Sequence, residues 1–446
     1  MIFFLLPSVN ICIYKCIDCI LDDGSEQTQP KSIVSNSLSY YLYEIKNKIK
    51  LYENDWDIYK KYTNPYEYIN SLVPDIFNKS NEAVDRMNNE NPITNYSVIK
   101  YNKHLSRCVS KFKPLSRSYF KMIELLNNFI FTNNINLYRS FDNYTYNNQC
   151  NENAPTEQIQ QNISPISSFH LAEGPGGFIE ALVNMRKNSE DRYVGMTIVD
   201  DEKEQNVPGW KKSEQFLKNN KNVSIELGED GTGNILSMKN FLYCRNKYGS
   251  SMDLITADGG FDFSMDFNSQ EQNISKLLFA QICYALCLQK MKGNFILKIF
   301  DCFLGHTVDL LYILSAFYEK VYITKPQTSR YANSEKYIVC KNFLVANDKG
   351  VFPYLKTSFE KMLHASSMNP DINIQRFLKI PISVFYITKM EEYNAIFGQQ
   401  QIENIHQTIT LIENKQKNDK LEAIIKSNIQ KCIHWCVKYK IPYNTF

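Results

Sequence analysis

One segment, residues 169–180, constrains the fold of this chain more than any other. It reads Phe-His-Leu-Ala-Glu-Gly-Pro-Gly-Gly-Phe-Ile-Glu, which is an apolar run, an acid, a turn of glycines and proline, and an amphipathic stretch. This order predicts a buried strand, a tight turn and the start of a helix. Glycines let a ligand approach the backbone there, and N–H groups of the first helical turn face that ligand. We therefore predict a site for a nucleotide-like cofactor, the alternative being a glycine-rich turn without a ligand.

The residues of the turn also favour one cofactor over another. Dinucleotide-binding turns follow the pattern Gly-x-Gly-x-x-Gly with small residues throughout, which Glu173 and Pro175 do not fit. An acid before the turn suits a ligand that carries positive charge, such as the amino group of S-adenosylmethionine. We expect this cofactor, and the candidate residues for binding it on the turn are Glu173, Gly174, Pro175, Gly176, Gly177 and Phe178.

Short apolar runs alternate with helical patterns between residues 167 and 342. The expected strands are Ser168–Ala172, Tyr193–Ile198, Val223–Leu227, Leu254–Asp258, Phe295–Phe300, Val321–Thr324 and Tyr337–Cys340. Helical patterns follow Gly176 and cover Glu271–Met291 and His306–Tyr318. The alternation predicts an α/β fold with a mostly parallel, seven-stranded sheet and helices on both faces.

The patterns divide the chain into three regions. Residues 1–99 are predicted to form a helical N-terminal region, residues 100–345 the α/β domain, and residues 346–446 a mainly helical C-terminal region. The stretch of residues 140–165 is rich in Asn, Gln and Pro, and reads as a polar loop inserted into the domain.

Composition excludes several classes of protein. A chain of 446 residues, 43% of them hydrophobic, can bury a large core, which excludes a disordered protein. The formal net charge of +3 is too small to indicate general nucleic-acid binding, so any basic site must be local. Cys12, Cys16 and Cys19 lack a matching pair at zinc-site spacing, so we expect no metal. Neither a signal peptide nor a run of eighteen apolar residues is recognised, which predicts a soluble, intracellular protein without membrane contact.

Polar groups stand at the ends of the expected strands, where ligands collect in open α/β sheets. Asp258 ends one strand, while Glu229 and Asp230 follow another, where they could hold an adenosine group. Lys298 lies inside an apolar strand, where a lysine is costly unless it is paired or deprotonated; the alternative is a lysine on an edge strand. The loop of residues 325–335 brings further charged groups to the same edge.

A basic stretch precedes the glycine-rich turn. A solvated helix face normally mixes both signs of charge, but residues 100–123 contain seven cations and no acid. This bias indicates a polyanionic partner, the alternative being a merely soluble surface. The cations are Lys100, Lys103, Arg107, Lys111, Lys113, Arg117 and Lys121.

These motifs together resemble a known family. The set comprises Gly174-Pro175-Gly176-Gly177-Phe178, Asp258-Gly259-Gly260, Lys298, the segment of residues 116–124, and the residues Ser329, Arg330, Asn333, Ser334, Glu335, Tyr337, Val339 and Cys340. It is similar to the FtsJ-like RNA 2′-O-methyltransferases. Within that group the chain resembles the Adrift-type branch, which contains the mRNA cap 2′-O-methyltransferases of eukaryotes and large DNA viruses. The resemblance covers roughly residues 100–345.

The resemblance implies a Rossmann-like methyltransferase fold, S-adenosylmethionine as cofactor, and a catalytic tetrad that matches Lys121, Asp258, Lys298 and Glu335. A ribose hydroxyl must lose its proton as it attacks the sulfonium methyl group, and a neutral Lys298 would be the general base. Asp258 would orient Lys298 and contact the cofactor, and Glu335 would pair with Lys121. No metal is needed for this chemistry.

The expected substrate is RNA. Arg330 and Asn333 are the candidate residues for contacting the target nucleotide. The resemblance implies methylation of the ribose 2′-OH of a cap-proximal mRNA nucleotide, with capped RNA and other capping proteins as partners. The expected setting is the cytoplasm, a viral factory or virion for a viral protein, or the nucleus for a cellular one. Two alternatives are a 2′-O-methyltransferase for internal positions of ribosomal or other RNA, and a catalytically silent RNA-binding scaffold.

Overall fold

The computed structural model describes residues 1–22, 32–74, 107–131, 164–199, 209–260, 268–414 and 418–446. These residues form two compact units. The first contains residues 1–22, 32–48, 114–131, 164–199, 209–260 and 268–403, and the second contains residues 49–74, 107–113, 404–414 and 418–446. Apart from its last two residues, the predicted polar insertion at residues 140–165 lies outside the described residues.

An eight-stranded sheet forms the centre of the first unit. Its strands are β1 (Ile2–Leu5), β3 (Ser167–Leu171), β4 (Arg192–Met196), β5 (Val223–Ile225), β6 (Met252–Ala257), β7 (Gln289–Ile299), β8 (Tyr318–Lys325) and β9 (Lys336–Phe343). The order across the sheet is β1-β8-β9-β7-β6-β3-β4-β5. Strands β5, β4, β3, β6 and β7 are parallel, whereas β9 is antiparallel to both β7 and β8. All seven expected strands are therefore present.

The eighth strand corrects the prediction of seven. Strand β1 pairs antiparallel with β8, so that Phe3 lies opposite Thr324. A second strand of the N-terminal stretch, β2 (Ile17–Leu21), pairs with β10 (Ile374–Leu378) in a separate two-stranded sheet. Residues 1–99 therefore include strands as well as the expected helices. Both short apolar runs become strands only through partners that lie more than 300 residues away in the chain.

The twelve α-helices of the described residues are α1 (Asn36–Ile49), α2 (Glu53–Tyr59), α3 (Ser118–Leu125), α4 (Gly177–Arg186), α5 (Glu214–Asn219), α6 (Met238–Tyr248), α7 (Gln270–Asn273), α8 (Ser275–Leu288), α9 (Gly305–Phe317), α10 (Phe352–Met368), α11 (Val384–Glu413) and α12 (Asn418–Lys438). Helix α3 packs on α4, while α8 packs against α6, α9 and α10. Consecutive residues Phe295, Ile296 and Leu297 of β7 are all buried. Because consecutive side chains of a strand point to opposite faces, both faces of the sheet are covered there.

The second unit is mainly helical. The hydroxyl oxygens of Thr63 and Thr408 lie 2.7 Å apart, and Asn404 Nδ2 donates to the Thr63 carbonyl at 2.8 Å. Asn428 Nδ2 on α12 donates to the Tyr62 carbonyl at 2.7 Å. These buried amide contacts fasten the turn that follows α2 to the two C-terminal helices. Helices α10, α11 and α12 lie in residues 346–446, the region that is predicted to be mainly helical.

The glycine-rich segment forms the predicted strand, turn and helix. Gly176 takes a positive φ of 100° immediately before α4, a conformation that favours glycine. Gly177 is required for a different reason, because a Cβ there would meet the hydroxyl groups of Ser116 and Ser118 and lie 3.1 Å from the Tyr119 backbone nitrogen. The start of α4 therefore packs directly against the start of α3.

We expect Gly177→Ala to lower the free energy of unfolding by roughly 1–3 kcal/mol, because the added methyl group overpacks the contact between α3 and α4. Urea denaturation measures this change. Gly350→Ala is the matched control, since a Cβ at that exposed glycine would lie 3.9 Å from the Tyr14 hydroxyl oxygen and meet nothing nearer. Equal stability of the two variants would contradict the packing described here.

Candidate active site

Four charged side chains meet at one edge of the sheet as two lysine–carboxylate pairs. Lys121 Nζ on α3 lies 2.7 Å from Glu335 Oε1, and the two side chains are 14% and 10% exposed. Lys298 Nζ lies 3.4 Å from Asp258 Oδ1 and donates to the Asp258 carbonyl oxygen at 2.6 Å. Asp258 directly follows β6, Lys298 is the penultimate residue of β7, and Glu335 directly precedes β9. The structure thus brings the four predicted catalytic residues together at the carboxyl ends of β6 and β7.

Tyr337 connects the two pairs. It lies opposite Lys298 in the register of β7 and β9, and its hydroxyl donates to Asp258 Oδ1 at 2.9 Å. Burial, together with the negative charges of Asp258 and Glu335, raises the pKa of Tyr337 well above its usual value, so the phenol remains a neutral donor. The sequence predicts a strand at Tyr337 but no role for it in the site.

Glu335 is held as a carboxylate. Burial alone would raise its pKa, but the positive charges of Lys121 and Lys298 and a hydrogen bond from Ser329 Oγ at 2.7 Å outweigh burial and lower it. A buried carboxylate is tolerated where it is paired and hydrogen-bonded in this way. Glu335 therefore supplies a permanent negative charge to the site.

Helix α3 holds the loop of residues 326–335 through a buried acid. Glu124 accepts hydrogen bonds from the backbone N–H groups of Gln327 and Thr328, each at 2.8 Å, while Arg117 Nη2 donates to the Thr328 carbonyl at 3.2 Å. Arg117, Lys121 and Glu124 are spaced four and three residues apart and so share one face of the helix. The sequence alone does not predict this role of Glu124, for which the available signal is its position as the first acid after the basic stretch.

Glu173 has a role within the protein. One of its carboxylate oxygens accepts hydrogen bonds from the backbone N–H groups of Phe178 and Ile179, and the other lies 3.1 Å from His170 Nδ1. Glu173 therefore caps the N-terminus of α4, where negative charge is favourable. The carboxylate for which the sequence predicts a contact with a cofactor is thus committed to the helix. Burial raises the pKa of Glu173, although the contacts with His170 and Ile179 partly oppose this.

Part of the turn is not covered by other described residues. Ala172, Gly174 and Pro175 are only partly buried at the carboxyl end of β3, and a Cβ at Gly259 would lie 3.1 Å from Ala172 Cβ. This edge carries hydrogen or methyl side chains next to Asp258, which fits a ligand such as S-adenosylmethionine lying along the backbone. Gly176, Gly177 and Phe178 are buried.

The two acids after β5 are both exposed, and they lie away from the lysine–carboxylate pairs because β3 and β4 separate β5 from β6. Burial would raise the pKa of Asp230, but hydrogen bonds from Thr232, Asn240 and Ser237 outweigh it and lower the pKa. Asp230 therefore orders its own loop, and Glu229 stands beside it.

The two predicted substrate-binding residues lie in the loop before β9. Arg330 is exposed, and Asn333 is partly buried with its Oδ1 accepting a hydrogen bond from Lys325 Nζ at 3.0 Å. The sequence places Lys325 among the charged groups of this loop but gives it no role in the site.

The basic stretch is divided by the structure. Residues 100–106, including Lys100 and Lys103, lie outside the described residues. Arg107, Lys111 and Lys113 belong to the second unit, whereas Arg117 and Lys121 belong to the first, where their contacts within the site are given above.

The described part of the chain contains no helix with the length and hydropathy needed to cross a membrane.

Comparison with known proteins identifies the family. The sequence model of the FtsJ-like methyltransferases matches residues 114–343, slightly more than half of the chain. The chain belongs to the FtsJ-like methyltransferase family. The sheet and helices described above are the Rossmann-like methyltransferase fold of that family.

Relatives within the FtsJ-like group are named for cap methylation. The human cap-specific mRNA (nucleoside-2′-O-)-methyltransferase 1 is 31% identical over 278 residues, which cover 57% of this chain and 31% of that protein. The 1A protein of the same name from Caenorhabditis briggsae is 26% identical and covers 67% of this chain and 34% of its own length. The same species has a relative named inactive 1B, which is 25% identical over 308 residues. The chain spans about a third of the length of these relatives.

A solved structure described as a putative ribosomal RNA methyltransferase from Plasmodium falciparum is also similar. It is 19% identical, with a TM-score of 0.31, and the match covers 51% of this chain and 98% of that one.

A buried carboxyl group on α4 is hydrogen-bonded to the segment that precedes α3. Glu180 Oε2 accepts a hydrogen bond from the Leu115 backbone N–H at 2.8 Å. Burial raises the pKa of Glu180 to about 7, although the bond from Leu115 opposes this shift. Because the folded pKa lies above the unfolded value of 4.5, unfolding releases a proton between these two pH values. Burial of Glu180 therefore lowers stability progressively as pH rises from 4.5 to 7.

We expect Glu180→Gln to be more stable than the parent above pH 7, because the amide keeps an acceptor for Leu115 and does not ionise. The advantage should be roughly 1–3 kcal/mol at pH 8 and should shrink toward zero near pH 4.5. Chemical denaturation at the two pH values measures the difference. An advantage that does not change with pH would contradict the raised pKa of Glu180.

Proposed function

We propose that this chain is an S-adenosylmethionine-dependent RNA 2′-O-methyltransferase that acts on the ribose of a cap-proximal mRNA nucleotide. The observation that carries the proposal is the pair of partly buried lysine–carboxylate contacts, Lys121–Glu335 and Lys298–Asp258, at the carboxyl ends of β6 and β7. Membership of the FtsJ-like methyltransferase family supports the reaction class. The names of the relatives support RNA and its cap as the substrate.

Proton removal is the task of Lys298 in this proposal. S-adenosylmethionine supplies an electrophilic methyl group when it is bound. The 2′-hydroxyl oxygen would bond to that methyl carbon as the bond between the carbon and the sulfonium sulfur breaks, which leaves S-adenosylhomocysteine, while the hydroxyl proton passes to the neutral Nζ of Lys298. The lysine leaves the reaction as an ammonium and returns its proton to solvent. Close alignment of hydroxyl and methyl group accounts for much of the rate in such a transfer.

The other charged residues position and balance Lys298. Asp258 holds the amine through its carbonyl oxygen, and Tyr337 donates a hydrogen bond to the carboxylate of Asp258. Glu335 pairs with Lys121, so the site contains two lysines without a large excess of positive charge.

Two parts of the site would hold the ligands. The open backbone of Ala172, Gly174 and Pro175, with Asp258 beside it, would hold the methionine and sulfonium part of the cofactor. Glu229 and Asp230 would hold the adenosyl part. Asn333 and Arg330 would contact the target nucleotide, and the basic residues before α3 would attract the phosphates of the RNA.

We further propose that the partners of the chain are a capped RNA 5′ end and other proteins of the capping machinery. The cytoplasm, a viral factory or virion, and the nucleus remain the proposed settings. Support comes from the mRNA-processing names of the relatives.

We expect Lys298→Ala to reduce methyl transfer by at least about 100-fold, because the general base is removed. Lys298→Arg should be equally inactive, since a guanidinium does not lose its proton at working pH. Transfer of labelled methyl to RNA measures the activity, and calorimetry should show unchanged cofactor affinity.

Lys290→Ala is the matched control for Lys298. Lys290 lies on the same strand, β7, and pairs with Asp253 of β6 at 3.0 Å, but at the opposite end of both strands. Its loss should leave methyl transfer unchanged. A Lys298→Ala variant with activity within tenfold of the parent would remove Lys298 from the mechanism.

We expect the chain to methylate capped RNA in preference to uncapped RNA of the same sequence. The two RNAs are compared by labelled methyl transfer at matched concentration and ionic strength, because phosphate contacts depend on salt. Equal transfer to both RNAs would favour an internal RNA target. Cofactor binding without transfer to either RNA would instead favour a catalytically silent scaffold. One relative of the chain is itself named inactive.

A further inference from the structure

Lys325 is a buried lysine outside the tetrad. It is the last residue of β8 and only 7% exposed. Its Nζ donates three hydrogen bonds, to the Asn333 carbonyl at 2.7 Å, to Asn333 Oδ1 at 3.0 Å and to the Glu335 carbonyl at 2.8 Å. Within the described part of the chain no carboxylate forms an ion pair with it. Lys325 therefore joins the end of β8 to the residues that lead into β9.

Keeping a lysine in this position is costly. Burial and the positive charges of Lys336 and Lys121 lower the pKa of Lys325 to about 7, while the negative charges of Glu335 and Asp301 oppose the shift. Only the ammonium form has the three N–H groups that the three bonds use. The hydrogen bonds to residues 333 and 335 therefore offset the cost of burying the Lys325 ammonium. These bonds also show which residues Lys325 holds in place.

The bond to Oδ1 fixes which way the amide of Asn333 points. Since Oδ1 accepts from Lys325, the NH2 group of Asn333 lies on the other side of the amide. The side chain is partly buried, and among the described residues it makes no hydrogen bond besides that to Lys325. The NH2 group of Asn333 is therefore left as a donor that no hydrogen bond among the described residues uses.

We propose that Lys325 is a positioning residue, which holds the amide of Asn333 so that its NH2 group donates to a ribose or phosphate oxygen of the RNA. The proposal rests on the proposed function. Through its hydrogen bond to the Glu335 carbonyl, Lys325 also sets the position of the carboxylate that pairs with Lys121. Loss of Lys325 should therefore affect both RNA binding, through Asn333, and turnover, through Glu335.

Asn333→Asp is the decisive variant. The carboxylate keeps an oxygen for Lys325 and gains a charge of opposite sign, so the contact with Lys325 is retained. The substitution removes the NH2 donor, however, and places negative charge against the RNA. We expect the KM for capped RNA to rise roughly tenfold or more, with the melting temperature and the cofactor affinity unchanged or improved.

Asn369→Asp is the matched control. Asn369 is exposed at the end of α10, and its Oδ1 accepts a hydrogen bond from the Asp371 backbone N–H at 3.0 Å. The Asn369→Asp substitution introduces the same change of charge away from the site and should leave the KM for RNA unchanged. If Asn333→Asp also has the parental KM, the donor role of Asn333 is overturned.

Lys325→Met tests the positioning role directly. The variant keeps the apolar part of the side chain and removes all three hydrogen bonds, so the KM for RNA should rise and kcat should fall. In an Asn333→Ala background the same substitution should lower kcat but add little to the KM, because the amide it positions is already absent. Additive effects on the KM, or parental values of both constants in the single variant, would overturn the proposal.

Binding of capped RNA in the presence of S-adenosylhomocysteine separates this inference from the proposed function. If the parent binds the RNA but transfers no methyl group, the proposed function fails, and the RNA affinities of Asn333→Asp and Lys325→Met still decide the role of Lys325. A parent that neither transfers methyl nor binds the RNA would overturn both.

Discussion

The ion pair between Lys121 and Glu335 is the contact on which the rest of the site depends. It joins α3 to the loop before β9, two elements that are 214 residues apart in the chain. Glu124 and Arg117 hold the same loop from the same face of α3, so Lys121 is carried to Glu335 by a fixed helix. The packing of Gly177 against Ser116 and Ser118 in turn fixes α3 on α4. The glycine-rich turn and the catalytic pairs are therefore parts of one rigid arrangement.

The site is also balanced electrostatically. Two lysines near one another would repel, but Glu335 remains ionised between them and Asp258 is held by Tyr337. The two acids at this end of the sheet have different roles. Glu173 caps α4, while Asp258 faces Lys298. This division explains why one acid of the glycine-rich motif is buried and the acid at the end of β6 is not. It also leaves Asp258 as the acid placed to meet both the cofactor and the base.

Much of this could be predicted from the sequence because the strands of a buried parallel sheet are apolar runs bounded by turns. Lys298 stood out as a charge within such a run, and the family resemblance supplied its three partners. Strand β1 could not be predicted, since its partner β8 lies more than 300 residues away. The inward role of Glu173 was also hidden, because an acid before a helix can face a ligand or cap the helix. The role of Lys325 also depends on the fold, because the loop before β9 brings Asn333 and Glu335 next to it only in the folded chain.

We propose that the two lysine–carboxylate pairs catalyse the transfer of a methyl group from S-adenosylmethionine to a ribose oxygen. The most direct test is to locate the methyl group on the product. Capped RNA is incubated with the protein and isotopically labelled S-adenosylmethionine, digested to nucleosides, and analysed by mass spectrometry. We expect the label on the ribose 2′-oxygen of a nucleotide next to the cap. Label on a base instead of a ribose would contradict it.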